Sequence, residues 1–275
     1  MTAASRLLRH AHLSLAGGLL LASPITAQAA DLIPHRAVYA LSLDGSKAAK
    51  RVTDADGEIV YEIRGSACAG YSVKLRQRTD LDTDGDGDMS NDLTTTTWED
   101  AQANTYRFRI TNSVGDDKSD DTDGVAERKG NTLAVKLSKP DVASFNAGSD
   151  IVLPTQHIAK MLAAAQQGDA TLEARVFDGS PDGRKVYDTL SIIGKGTRDQ
   201  NGVEAPLAGL AAHARYPVTV SYFEHGGKTD TPDYIISFDL YDNGVSRALK
   251  LDYGDFVLRG TLTAYEELPA EPCPK

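Results

Sequence analysis

From Asp80 to Asp92 the chain reads DLDTDGDGDMSND, with an aspartate at every second position as far as Asp88 and another at Asp92. Carboxylates at that spacing suit a hard cation. A helix–loop–helix calcium site takes oxygens from loop positions 1, 3, 5 and 7, with glycine at 6 and a bidentate glutamate at 12. Counting from Asp82 gives Asp82, Asp84, Asp86, Gly87 and Asp88, but the twelfth residue is Leu93; counting from Asp80 puts Asn91 there. The flanks YSVKLRQRTDL and LTTTTWED read as strands, whereas that site needs helices. Two readings stay open: a helix-free calcium loop ligated by Asp80, Asp82, Asp84 and Asp88, or a solvated hairpin turn whose charges repel one another. A second acidic stretch, GDDKSDDTDG at 115–124, lacks the alternating spacing and reads as a solvated turn.

Paired carboxylates could also act as acid and base in the hydrolysis of a polymer. The candidates are Asp178, Asp182, Asp252 and Asp255, all beside or near glycines in turn-like sequence, where aspartates ordinarily form the turn itself. His35, His157, His213 and His225 show no metal-binding spacing. GxSxG, HExxH, SxxK, P-loop and GxGxxG motifs are all missing, so no cofactor is expected beyond the calcium alternative. A Ser-His-Asp site assembled from distant strands stays open. His157 falls in the first turn of an expected helix and reads as a packed histidine donating to a loop carbonyl. Trp98 ends a strand and reads as core.

The elements that must hold these residues begin after an export leader. MTAASRLLRH carries Arg6 and Arg9 and no acid, LSLAGGLLLA is a short apolar run, and Ala27 and Ala29 precede a cut after residue 29. The run is too short to span a bilayer, and no transmembrane segment is expected elsewhere. The working chain is thus expected to be residues 30–275, exported, as one domain. Its formal net charge, −10 before the two leader arginines are lost, argues against nucleic acid as a partner. Cys68 and Cys273 both lie in the exported part, where two thiols make one possible bridge.

The dominant period is two. TYRFRIT sets Tyr106, Phe108 and Ile110 on one face and Arg107 and Arg109 on the other; YPVTVSYF and DYIISFDLY alternate in the same way. Similar runs near 35–43, 58–64, 71–79, 93–98, 132–137, 170–177, 185–193, 245–253 and 255–265 bring the expected strands to about a dozen. Asn243-Gly244 marks a hairpin, and FDGSPDGRK another turn. One principal helix is expected at about 155–167, capped by Thr155, with Ile158, Met161, Leu162 and Ala165 on one stripe and Gly168 as its stop. APLAGLAAHA is a weaker helical candidate. So many strands do not lie flat, so the sheet should curl, giving a filled barrel or an open half-barrel with a concave face.

Long strings in fixed order carry a resemblance over the whole working chain: LIPHRAVYALSL, GYSVKLRQ, YRFR, LPTQH, LEARVFDGSPDGRKVYDT, PDYIISFDLYDNGVSRALKLDYGDFVLRGTL and the closing LPAEPC. In these the chain resembles the EipB-like cell-envelope integrity family of alphaproteobacterial periplasmic proteins. The resemblance implies an all-β, mainly antiparallel fold, a strongly bent β-spiral related in shape to periplasmic lipoprotein carriers. It also implies a disulfide between the early and C-terminal cysteines, here Cys68 and Cys273, and an envelope role without known catalysis. The aspartate loop is not part of the family pattern. The expectation is a non-enzymatic periplasmic protein that supports envelope integrity by binding a lipid, lipoprotein or protein partner in a concave groove. A hydrolase acting through the turn carboxylates and a calcium-stabilised scaffold are the alternatives.

Overall fold

In the computed structural model the described residues are 31–45, 51–85, 87–115, 119–180 and 182–273; the expected leader at 1–29 and Asp86 lie outside them. The elements run β1 (His35–Leu43), β2 (Val52–Ser66), β3 (Gly70–Thr83), β4 (Met89–Glu99), β5 (Thr105–Val114), β6 (Asp120–Lys129), β7 (Thr132–Lys139), β8 (Ala143–Ser149) and β9 (Ile151–Val152). Then come α1 (Pro154–Gln167), β10 (Thr171–Val176), β11 (Tyr187–Ile193), a 3-10 helix (Ala205–Leu210), β12 (Arg215–Glu224), β13 (Tyr234–Tyr241), β14 (Ser246–Asp252) and β15 (Val257–Glu267).

All fifteen strands form one sheet in the order β8-β7-β6-β5-β4-β3-β2-β1-β15-β14-β13-β12-β11-β10-β9. The chain meanders outward from β1 to β8, crosses through β9 and α1, and meanders back until β15 pairs with the other side of β1. Every pairing is antiparallel except the two-residue match of β9 with β10. The two sheet edges, β8 and β9, are consecutive in sequence, so the sheet curls into a nearly closed barrel and the chain itself joins the edges.

Period-two alternation sets the inside. On β1, His35, Ala37, Tyr39 and Leu41 are buried while Ala40 and Ser42 are exposed; on β5, Tyr106, Phe108 and Ile110 are buried while Arg107 and Arg109 face water. α1 turns Met161, Leu162, Ala164 and Ala165 into a cluster shared with Ile63 and Tyr71 of one wall and Val218, Val220 and Leu240 of the opposite wall. The 3-10 helix buries Leu207 and Leu210 in a second cluster with Tyr39, Leu41, Ile59 and Tyr241. Each such leucine contributes on the order of 2 kcal/mol by leaving water. The helix and the 3-10 turn therefore fill parts of the barrel, and neither is a separate layer.

The structure corrects several sequence expectations. Part of the 115–124 stretch is strand: Asp120 opens β6, and Thr122, Gly124 and Ala126 face inward. Small residues on that face hid the strand, yet they make room for Phe108, whose register partner is Gly124. Trp98 is only partly buried and lies under the guanidinium of Arg107, 5.3 Å from its ring centre, on the outer face. Thr155 does not cap α1. The helix starts at Pro154, Thr155 lies in its first turn, and its N–H donates to the carboxylate of Glu99 on β4. FDGSPDGRK is more than a turn: Phe177 and Val186 pack into the β5–β7 cluster, drawing this segment across the barrel.

Candidate ligand cavity

The curl leaves a cavity of about 450 Å³. Its walls come from β1 to β4 on one side and β11, β13 and β14 on the other, with Ile158 of α1 reaching in. Apolar groups dominate, among them Ile59, Leu75, Leu93, Ile236, Phe238 and Leu251. The volume is at the lower end of the range for small-molecule sites. Across the opening, Gln77 of β3 donates from its amide to the hydroxyl of Tyr253 at 3.3 Å, linking strands far apart in sheet order.

The polar groups of the lining are few and mostly aromatic. Tyr39 is tied down, donating to the Ser246 carbonyl at 2.8 Å. His35 is almost fully buried between the rings of Tyr61 and Tyr265, at 5.5 and 5.8 Å. Its Nδ1 lies 2.8 Å from the Ile33 carbonyl, and burial holds the imidazole below its ordinary pKa. Tyr187 and Tyr234 line the far wall and pack edge-to-face at 5.7 Å, with Tyr222 stacked on Tyr234 at 4.4 Å. Desolvation pushes all of these phenols well above their ordinary range, so they stay protonated donors.

A larger opening of about 550 Å³ beside α1 and β10 is lined by Lys160, Glu173, Arg175 and Asp188. Its charges are of both signs and partly paired, Arg175 donating to Asp188 at 3.1 Å. It offers no apolar seat comparable to the barrel cavity.

The other candidate residues stand apart from this cavity or serve the backbone. Asp80 and Asp82 lie on β3, and Asp84 and Asp88 flank the hairpin to β4, all exposed. Repulsion from Asp88 is the main cause of the raised pKa of Asp82. Among the described residues no three histidine, cysteine or acidic side chains converge to hold a metal. Asp178 accepts from the N–H and hydroxyl of Ser180, Asp182 from the N–H of Arg184, and Asp252 from that of Gly254; Asp255 is an exposed residue of the β14–β15 turn. Three of the four carboxylates thus form the turns their sequence suggests. Among the described residues no serine hydroxyl bonds to a histidine; His213 and His225 pair with Asp242 and Asp188 at 2.5 and 2.7 Å. His157 is buried, its pKa lowered by desolvation to about 4, and its Nε2 is 3.5 Å from the Thr189 hydroxyl, where a loop carbonyl had been expected. Cys68 and Cys273 are joined by a disulfide, which fastens the tail to the β2–β3 turn.

Comparison with known proteins places this architecture. The family model described as EipB-like matches residues 26–269. The cell envelope integrity protein EipB of Brucella abortus (strain 2308) is 34% identical over 237 residues, 86% of this chain and 84% of that protein. The chain belongs to the EipB-like family. A crystal structure from Brucella abortus, described as a beta-barrel-like protein of domain of unknown function DUF1849, superposes with a TM-score of 0.81 at 32% identity. The match covers 88% of this chain and all of that one. This EipB-like chain therefore has the bent, barrel-like sheet that the resemblance implied. Among the described residues no helix is long and apolar enough to cross a membrane.

The cavity-lining residues His35, Tyr61, Tyr187 and Tyr234 were not singled out from sequence. Their positions on inward strand faces were readable from the period, but whether the barrel leaves space beside them depends on how far α1 and the 3-10 helix fill it.

Proposed function

We propose that this protein is a non-enzymatic envelope-integrity protein of the periplasm that carries one apolar small molecule, such as a single acyl chain, inside its barrel. The observation that carries this reading is the apolar cavity of about 450 Å³ enclosed by strands from both halves of the sheet. Its size fits one chain and not a whole protein partner. The family relationship supports the envelope role, through a relative whose name states it. The turn carboxylates, already engaged with backbone N–H groups, favour binding over hydrolysis.

The test is native mass spectrometry of protein purified from the exported fraction, followed by organic extraction. Ile236→Trp, which fills the lumen from β13, provides the comparison. The expected result is a mass adduct extractable into organic solvent in the native protein and lost in the variant. An adduct-free native protein that also binds no added C12 to C16 amphiphile overturns the proposal.

A further inference from the structure

Several buried phenols find acceptors, Tyr39 in Ser246, Tyr106 in the Asp178 carbonyl at 2.9 Å and Tyr71 in Asp31 at 3.0 Å, whereas the buried hydroxyl of Tyr241 has none among the described residues. His35 and Tyr61 stand side by side in the cavity lining. Neither the Nε2 of His35 nor the hydroxyl of Tyr61 has a hydrogen-bond partner among the described residues. His35 is only 2% exposed, so its edge has no route to bulk water except through the cavity. Both groups are therefore open to an occupant of the cavity.

Their chemistry is fixed by their surroundings. The Ile33 carbonyl can only accept, so Nδ1 of His35 carries the ring proton. Burial keeps the ring neutral, which leaves Nε2 as a lone-pair acceptor. The Tyr61 phenol, held protonated by desolvation, is a donor. The two ring centroids are 5.5 Å apart and both rings line the same cavity. An acceptor and a donor together match a group that donates and accepts through one atom. A carboxylate has no proton for Nε2, and an ether has none either. Among the described lining residues the only formally charged side chain is Asp252, which further disfavours an anionic head.

We infer that the cavity selects its occupant by a hydroxyl group, which donates to Nε2 of His35 and accepts from the phenol of Tyr61, so that the ligand class is a neutral, hydroxyl-bearing single-chain amphiphile. This rests on the lumen-binding reading above and narrows it.

Three C12 probes separate the possibilities: 1-dodecanol, its methyl ether and dodecanoate, each used below its micellar or solubility limit to displace N-phenyl-1-naphthylamine. The alcohol and the ether share a chain and lack charge, and differ in the one proton. One hydrogen bond of about 1 kcal/mol predicts roughly fivefold tighter binding of the alcohol. Tyr61→Phe, which keeps the ring and removes the donor that both oxygens accept from, should weaken alcohol and ether alike and leave the preference in place, whereas His35→Phe, which removes the Nε2 acceptor, should bring alcohol and ether within about twofold. Equal binding of alcohol and ether by the native protein overturns the hydroxyl inference and leaves lumen binding standing. A preference that survives in His35→Phe, or ether binding that is unchanged in Tyr61→Phe, also overturns it. If neither dye nor any probe binds, both readings fall.

Discussion

Glu99 is the residue on which the seating of α1 depends, and replacing it should be costly for reasons that can be followed donor by donor. A helix begins with N–H groups that have no partner within the helix. Here Pro154 has no N–H, and Leu153, at the cap position, has no side-chain oxygen to offer. The Leu153 N–H donates to Oε1 of Gln156 at 3.4 Å, the Thr155 N–H to Oε2 of Glu99 at 2.9 Å, and the Gln156 N–H to Oε1 of Glu99 at 3.1 Å. His157 makes the first intrahelical bond, to the Leu153 carbonyl. Glu99 thus satisfies two donors and adds a negative charge at the positive end of the helix dipole. Glu99→Ala should remove about 1–2 kcal/mol for a lost cap and more for the second charge-assisted bond. Relief of the buried carboxylate, whose pKa desolvation raises, offsets part of this. The net expectation is about 2–4 kcal/mol, or a melting temperature lowered by roughly 5–15 °C for a domain of this size. Glu99→Gln, which keeps one acceptor oxygen, should lose about half as much. Because the folded pKa of Glu99 is raised, its contribution is greatest below the ordinary carboxylate pKa and is lost as pH rises through the folded value; Glu99→Gln should remove that component. The assay is urea unfolding across pH, with hydrogen exchange at residues 155–157. A Glu99→Ala protein within about 0.5 kcal/mol of wild type, with helix exchange unchanged, would refute the account.

Two further perturbations have expected outcomes. Cys68→Ser opens a loop of 205 residues, for which the chain-entropy model gives roughly 5 kcal/mol, so the variant should melt lower and be cleaved faster by protease, as should wild type in reductant; equal stability would contradict this. His157 is held neutral, with its pKa pushed from 6.5 to about 4, so its contribution is complete above pH 6.5 and disappears as pH falls to about 4. That amounts to roughly 3 kcal/mol over the window, and His157→Gln should flatten stability between those pH values in urea titrations.

The strands were legible because this sheet has one wet face and one dry face, and each slip of one residue would exchange them. TYRFRIT and YPVTVSYF carry that alternation, and β5 and the middle of β12 follow it; β13 forms where DYIISFDLY predicts a strand, but its residues 234–239 are all half-buried and the last two buried. Where the inner face is small or the strand lies at the edge, the signal fades. β6 turns Thr122, Gly124 and Ala126 inward, and β8, an outermost strand, is ASFNAGS with no residue fully buried. The cap of α1 was misread for a different reason: its acceptor lies 56 residues earlier, on β4, and Thr155 beside Pro154 imitates a local cap. Trp98 faces outward because its neighbours Thr97 and Glu99 take the inward positions of β4, and there Arg107, its register partner on β5, lies over its ring.

The cavity was out of reach of the sequence because it is decided by closure, and closure depends on the segment after β10. Tyr106 donates across the barrel to the Asp178 carbonyl, and Phe177 packs edge-on to both Tyr106 and Phe108. Gly179, at φ +82°, passes so close to Phe108 that a Cβ would come within 2.5 Å of the ring, and Gly183, at φ +76°, within 2.7 Å of Leu137. Only glycine tolerates both the backbone conformation and the contact. The strap therefore draws β10 and β11 toward β5–β7, and the same movement brings Tyr187, the first residue of β11, to the lumen opposite Tyr61. The strap thus bounds a mostly apolar space in which a few polar groups, His35 and Tyr61 among them, can distinguish one occupant from another.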